Sequence, residues 1–537
     1  MELFCGGVER DTGEGGLVFG LGDEVVQVCA TIHPGHASAG VVGGEVNNAV
    51  AFWWASLPLC RNAKPHKEQQ NEVQHRQHFE GATSQTRMRP NRRSRFDNCI
   101  KPSPAGLNDR GHGSHLSSIG SRAQKLERWF TNCRIQSDQE IGAVDSRSVV
   151  GIGQAVGMTA SPFYTDEHLE FRSVLDRFVA KEITPFVHEW DEAEEFPREL
   201  YNKAADVGIL GAGFPEEYGG IGTDAFLRII IHQALARAGS GGVSAGVISS
   251  YISMPVVLHQ GAEWMRQEVL PMVLSGEQVS ALAVTEPSGG SDVAGLQTTA
   301  IKNVNGDYVL NGSKTFITSG MRADWFTVAA RTGGPGRGGL SVFLVPGESV
   351  GLTRTPLKKM GWWSSDTATL YFDDCVVPAR NLIGAENDGW GSIMGNFNYE
   401  RLDLIAQSLA FSQLCIDESI AYAKDRMTFG KPLISNQVIR HKIVDMSRKV
   451  NACQAWMELL AYRLNAGEKP AGEIAQCKVE ATTTFEYCAR EAVQIFGGAG
   501  YLRGATVERL YREVRVQAIG GGSEEVMRDL AAKQLGL

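Results

Sequence analysis

Twice along this chain the spacing of the apolar residues changes, and few folds accept the resulting order. From Thr165 the period is helical. Thr165 can cap, Asp166 and Glu167 suit a first turn, and Leu169, Val174, Leu175 and Phe178 follow on one face. Pro185 ends that helix. A second begins near Pro197 with Leu200, Ala204, Val207 and Leu210, until Gly208 and Gly211 break the pattern before FPEEYGGIG. Further helices are expected over 224–238, 244–258 and 262–274. At about Gln278 the character becomes β-like, with runs at 280–284, 308–310, 313–318, 325–330, 340–345 and 367–372. Asn311-Gly312, between two of these runs, predicts a two-residue hairpin turn. GPGRGG at 334–339 matches a dinucleotide-binding spacing, but no helix follows it, so it reads as a hairpin loop. After Asp388 helical periods return over 393–426, 435–465, 471–495, 506–517 and 524–535, and their long apolar stripes predict an antiparallel bundle. The fold class expected is therefore α+β with several domains: an N-terminal helical domain (158–278), a middle antiparallel β domain (279–388) and a C-terminal helix bundle (389–537).

Residues 1–157 do not share this patterning. The stretch 61–128 is rich in Arg, His, Gln, Asn and Ser and keeps neither period. His66, His75 and His78 have no suitably spaced Cys or acidic partner, so they read as polar residues of an unstructured extension. Clear patterning begins with MTASPFYTDEHLEF, which makes Met158 the expected native start and the first 157 residues an upstream translation. The formal net charge of -9 argues against a broad nucleic-acid-binding surface, while a few arginines and backbone N–H groups could still hold a small phosphorylated ligand. The apolar run at 49–60 is too short to span a bilayer, and MELFCGGVERDTGEGG fits neither a signal nor a transit peptide, so a cytoplasmic protein is expected. The ten cysteines form no CxxC pair, which points to reduced thiols and no metal site.

Several stretches carry chemistry. LAVTEPSGGSDVAG (282–295) leaves a strand in a loop of small and hydroxylated residues that could bring N–H groups and the Thr285 and Ser291 hydroxyls to a planar polar ligand, or could be a plain turn. In KTFITSG (314–320), Phe316 and Ile317 read locally as strand core. DRMTFGKPLISNQ (425–437) offers Arg426, whose planar fork suits a pyrophosphate. QIFGGAGY (494–501) is either a glycine helix stop or a place for a ligand to approach backbone. NFNYERLDLIA (396–406) sets Glu400 among apolar and amide side chains. QAIGGGSEE (517–525) is a glycine run where a related enzyme would carry an acid.

In this order the motifs resemble the acyl-CoA dehydrogenase family, over 163–537 and not upstream. The resemblance implies FAD. It places Leu282, Val284, Thr285, Gly290 and Ser291 along the flavin, with Ser291 also meeting coenzyme A. Ser288-Gly289 replaces a frequent Gly-Ala. Phe316 stands where the family has an aromatic, usually Trp, on the flavin. Ile317 lies beside it, and Thr318 donates to the hydride-accepting flavin nitrogen, where a fixed donor helps as charge develops. The pattern R-x-x-F-G-x-x-L-x-x-x-Q is met by Arg426, Phe429, Gly430, Leu433 and Gln437. Arg426, Phe429 and Gln437 would reach the FAD of a neighbouring subunit, and Gln494, Gly497 and Gly498 its adenosine half, implying a homo-oligomer and, as usual in the family, a tetramer. Gly522 and Glu524 match cofactor-side positions.

Most of the family carries its catalytic Glu at the place matched to Gly520. The long-chain and isovaleryl types carry it where Glu400-Arg401 stands. The resemblance therefore implies Glu400 as base, Gly520 supplying an N–H to the thioester oxygen, and Ser291, Asn398, Tyr399, Arg401 and Gly521 around the substrate. Electron-transfer flavoprotein would reoxidise the flavin. The pocket floor is expected from Ile252, Met254 and 248–251; Trp362 and Trp363 carry no functional expectation. An acyl-CoA oxidase, a flavin monooxygenase and a non-catalytic nucleic-acid-binding relative share this fold and stay open alternatives.

Overall fold

The computed structural model describes residues 161–537 and, upstream, four short strands: β1 (Leu17–Leu21), β2 (Glu24–Val28), β3 (Ala30–His33) and β4 (His36–Ala39). β1 pairs with β2 and β3 with β4, both antiparallel. The apolar run at 49–60, the polar stretch with His66, His75 and His78, and Met158 lie outside the described residues. The chain divides into two units, 1–117 and 118–537, and the second holds every helix among the described residues and the large sheet.

Helix α1 (Asp166–Glu182) starts at a capping box. The Thr165 hydroxyl accepts from His168 N–H at 3.4 Å, and His168 Nδ1 accepts from Thr165 N–H at 3.1 Å, so a histidine takes the part usual for Glu. Its buried face is Phe171, Leu175, Phe178 and Val179; Leu169, expected on that face, is 53% exposed. Short helices α2 (Val187–Ala193) and α3 (Glu199–Asp206) follow. Helix α4 (Ala225–Ala236) is capped by Asp224, whose carboxylate accepts from Phe226 N–H at 2.7 Å, and it is buried nearly all round. The single helix expected over 244–258 is instead two, α5 (Gly241–Val247) and α6 (Ser250–Gln260), followed by α7 (Leu270–Leu274). Among the described residues, Gly241–Gln260 is long and apolar enough by composition to cross a bilayer; most of it is buried inside the protein.

The middle region is one sheet of eight strands. They are β5 (Ser280–Ala283), β6 (Thr299–Lys302), β7 (Tyr308–Ile317), β8 (Trp325–Arg331), β9 (Leu340–Pro346), β10 (Leu352–Pro356), β11 (Ala368–Val377) and β12 (Leu382–Ile383). The order is β10-β11-β7-β6-β8-β9-β12, with β5 running parallel to β8 in an otherwise mainly antiparallel sheet. Asn311-Gly312 is not a turn, which corrects the hairpin expected there: β7 runs straight through it, paired with β6 on one side and β11 on the other. The turn sits at the other Asn-Gly, Asn305-Gly306, because the Asn303 side chain accepts from the N–H groups of Asn305 and Asp307 and folds the chain there. The 334–339 stretch is the hairpin loop between β8 and β9 as expected.

Helix α8 (Gly389–Asp425) opens the C-terminal bundle, and the small hairpin of β13 (Met427–Thr428) and β14 (Lys431–Pro432) leads to α9 (Gln437–Asn465), α10 (Ala471–Phe496), α11 (Thr506–Ile519) and α12 (Glu524–Gln534). Among the described residues three large apolar cores result, with a small fourth of Ala423, Ile439 and Ile495. On β9, Val342 and Leu344 face the N-terminal helices while Phe343 and Val345 face a core within the β region, so this strand is buried on both sides. Helix α4 is shared in the same way: Ile230, Ile231 and Leu235 join the N-terminal core, Phe226 and Ile229 the bundle core. Full burial of each such side chain is worth about 1.5–3 kcal/mol, so α4 ties the N-terminal core to the bundle core.

Candidate active site

Glu400 lies on α8 in a half-buried segment, yet its Oε2 is buried and has no hydrogen-bond partner. Burial pushes its carboxyl up to about 7. Arg401, Lys478 and Arg228 pull the other way, and Asp403 adds to the rise. An acid of this kind can hold or release a proton near neutral pH.

Gly521 faces it. A β-carbon there would lie 3.5 Å from Glu400 Oε1 and 2.5 Å from Leu404 Cδ1, and the backbone is left-handed at φ +64°. Only glycine meets both conditions. The role expected of Gly520 is corrected by the same geometry. The Gly520 N–H donates to the Val516 carbonyl at 2.8 Å, closing the last turn of α11, and a β-carbon on Gly520 would approach only that carbonyl.

The turn carrying Gly521 is held by two cations. Lys478 of α10, fully buried, donates from Nζ to the carbonyls of Ala518 at 3.2 Å and Gly522 at 2.9 Å. Arg401 Nε donates to the Gly521 carbonyl at 3.3 Å, and its guanidinium lies 5.5 Å from the Phe397 ring. Arg401, expected on coenzyme A, is thus buried against the turn. Glu524 opens α12 behind a Ser523 cap and pairs with Arg528 at 2.7 Å.

One helical turn past Glu400 stands a carboxylate that no sequence motif announces, Asp403. Arg228 of α4 grips both its oxygens, His232 Nε2 lies 3.1 Å from Oδ1, and all three side chains are buried. Burial alone would push the Asp403 carboxyl up; Arg228 and His232 more than offset it and keep it ionised. The Arg228 guanidinium lies 4.4 Å from the Tyr251 ring and 5.5 Å from that of Tyr399. From His232 Nδ1 the chain of contacts continues to Gln407 at 3.0 Å and on to Gln517 at 3.0 Å. Arg228 and His232, four residues apart in the apolar run AFLRIIIHQALA, were the signal available for this cluster.

The loop after β5 is pinned from below. Lys314, fully buried on β7, donates to the Val284 carbonyl at 3.0 Å and to Glu286 at 2.8 Å; Glu286 in turn accepts from the N–H groups of Gln297 and Thr298. Burial pulls the Lys314 ammonium down to about 8. Above this clamp Gly290 and Ser291 are exposed, Thr285 and Leu282 half-buried, and Val284 buried. Ile317 is buried in the β core and Thr318 is half-buried. Phe316 has a left-handed backbone at φ +60° and is 68% exposed, a strained placement that turns an aromatic residue outward beside the hydroxylated loop. A flat ring system fits such a place. Leu282 and Phe397 border the same apolar core, which ties this loop to the helix bearing Glu400.

Arg426, Phe429, Gln437, Gln494, Gly497 and Gly498 form a second, exposed group. Its parts are joined by Tyr422 stacked on Phe496 at 4.2 Å and by Ala423, Ile439 and Ile495 packed together. β-Carbons on Gly430, Gly497 or Gly498 would meet nothing.

Comparison with known proteins bears on this geometry directly. Models of the acyl-CoA dehydrogenase N-terminal, middle and C-terminal domains match residues 165–277, 281–375 and 387–536. The chain belongs to the acyl-CoA dehydrogenase family. It is similar to an acyl-CoA dehydrogenase of Bacillus subtilis, 37% identical over 377 residues, covering 69% of this chain and 98% of that protein. A solved structure described as a probable acyl-CoA dehydrogenase of Mycobacterium abscessus superposes with TM-score 0.68 at 42% identity, covering 70% of this chain and all of that one. A glutaryl-CoA dehydrogenase of Mycobacterium smegmatis solved with FADH2 superposes at 0.66 with 26% identity, over 70% and 95% of the two chains. As an acyl-CoA dehydrogenase, this protein is an FAD-dependent oxidoreductase acting on CH–CH bonds.

Proposed function

We propose that the protein dehydrogenates an acyl-CoA thioester to the trans-2-enoyl-CoA in fatty-acid or branched-acyl catabolism, with Glu400 as the base. The observation that carries this reading is the buried Glu400 oxygen without a partner, facing the glycine turn at Gly521. An α proton beside a thioester is too weakly acidic for a carboxylate in water. A carboxyl already raised to about 7 narrows that gap, and substrate that expels water narrows it further. The Gly521 backbone N–H, in place of that of Gly520, donates to the thioester oxygen as it gains charge; one such donor is worth about 3–4 kcal/mol. FAD, when bound, supplies the two-electron acceptor for the β hydrogen. The loop 282–291 and Phe316–Thr318 hold its ring, and Arg426, Phe429, Gln437, Gln494, Gly497 and Gly498 serve the cofactor of a neighbouring subunit. Phe429, 101% exposed with a left-handed backbone, suits a face covered by another copy. This reading includes a homotetramer, electron-transfer flavoprotein as acceptor, a cytoplasmic location and membership of the long-chain/isovaleryl subset.

The test is anaerobic titration of the purified full chain with straight and branched acyl-CoAs, following loss of flavin absorbance. Wild type should bleach, and Glu400→Gln should bind without bleaching. Bleaching of both moves the base elsewhere; bleaching of neither sinks the reading.

A further inference from the structure

We infer that Lys478 is a positioning residue for this reaction: its buried ammonium holds the turn 518–522 so that Gly521 stays against Glu400. The inference rests on the dehydrogenase reading above.

A lysine at this place needs a reason. Lys478 is on the buried face of α10, between Cys477 and Ala481 in the bundle core. Among the described residues no carboxylate is within ion-pair distance of it. Burying an ammonium costs several kcal/mol unless polar partners replace water. Its partners are two backbone carbonyls, Ala518 and Gly522, at the two ends of one turn. The first belongs to the C-terminus of α11, where helix carbonyls lack internal donors and the dipole attracts a cation.

Between those ends lie Ile519, Gly520 and Gly521, and Gly522 is the far end, with Gly521 at φ +64° and Gly522 at φ +103°. Three consecutive glycines have more backbone freedom than any other run, so this turn does not hold its own shape. The ammonium ties residues 518 and 522, and Arg401 ties the carbonyl of 521. Three carbonyl oxygens of the turn are thereby drawn onto cations. A carbonyl swung instead toward the substrate would set a negative dipole against the charge growing on the thioester oxygen. Lys478 removes that alternative, and in doing so fixes the donor geometry beside Glu400.

The test uses the full chain with FAD bound, as wild type, Lys478→Met and Lys478→Gln. Three quantities are compared: the anaerobic rate of flavin reduction per bound flavin, the substrate concentration for half that rate, and the infrared carbonyl stretch of carbon-13-labelled enoyl-CoA bound to each. Methionine should keep FAD and half-saturation within threefold, lose about 100-fold in rate, and lose much of the downward carbonyl shift seen in wild type. Glutamine, which keeps N–H donors on a shorter and uncharged side chain, should lose about tenfold. A methionine variant with wild-type rate and carbonyl shift overturns the assignment. If methionine does not fold, glutamine decides by the same readouts, and loss of folding in both makes the lysine structural and overturns the assignment too. Failure of wild type itself to be reduced would be failure of the dehydrogenase reading, a separate outcome.

Discussion

Glu400 on α8 and Gly521 in the turn after α11 meet with room for no side chain on the glycine: a β-carbon on Gly521 would stand 3.5 Å from the Glu400 carboxylate and overlap Leu404. Gly521→Ala should therefore destabilise by about 1–3 kcal/mol, from left-handed strain plus the clash, and cut flavin reduction at least tenfold. Gly520→Ala, with φ -65° and nothing but the Val516 carbonyl nearby, should be close to silent. Thermal melting and anaerobic reduction of the two variants check this; equal effects would restore Gly520 to the site.

The acidity of Glu400 makes a prediction about pH. Its carboxyl rises in the folded protein from 4.5 to about 7, so the folded state holds a proton that the unfolded chain has released. Stability from this group is thus intact below about pH 4.5 and is lost as pH rises toward 7. Glu400→Gln abolishes that loss. Its stability relative to wild type should climb between pH 5 and 8 by about 1–2 kcal/mol, the full shift being discounted for partial solvent access. A flat difference in denaturant midpoint across that range contradicts the assignment.

Asp403→Asn should act in two ways. It leaves Arg228 buried without its counter-ion, costing about 3–5 kcal/mol. It also removes a negative charge one helical turn from Glu400, so the pH at which flavin reduction is half-maximal should fall. An unchanged pH profile would make the Asp403 cluster structural alone.

The Lys314–Glu286 pair is expected to matter through the loop above it. Lys314→Met alone strands Glu286 and should cost about 3–5 kcal/mol with loss of bound FAD. Pairing it with Glu286→Leu should recover part of the stability and little of the FAD, because with Glu286 gone the N–H groups of Gln297 and Thr298 lose their acceptor. Melting temperature and flavin-to-protein ratio separate the two effects.

The order of helices, strands and helices was legible because each element repeats its buried face several times, and the C-terminal helices begin and end within about two residues of their expected bounds, except that α8 begins at Gly389, four residues before the expected 393. Local signals did less well where tertiary pairing decided. Asn311-Gly312 has the composition of a turn, but β11 on one side and β6 on the other keep β7 extended through it. The break between α5 and α6 carries no proline to announce it. In the site, Glu400 stands out on a stretch of mostly apolar and amide residues, whereas the glycine run offers no side chain to set its register, and nothing local separates Gly520 from Gly521. Arg228, His232 and Lys478 were invisible as a group because their partners lie far along the chain: Asp403 is 175 residues from Arg228, Gln407 is 175 from His232, and Ala518 is 40 from Lys478.

Helix α4 gives one flank to the N-terminal core and the other to the bundle. For a chain of this size that arrangement leaves heat without a cheap first step. Peeling away the N-terminal helices would strip the bundle of its lining, and loosening the bundle would do the same in reverse. The amides of α4 should be among the last in the protein to exchange with deuterium, and the helical layers on either side of it should melt together.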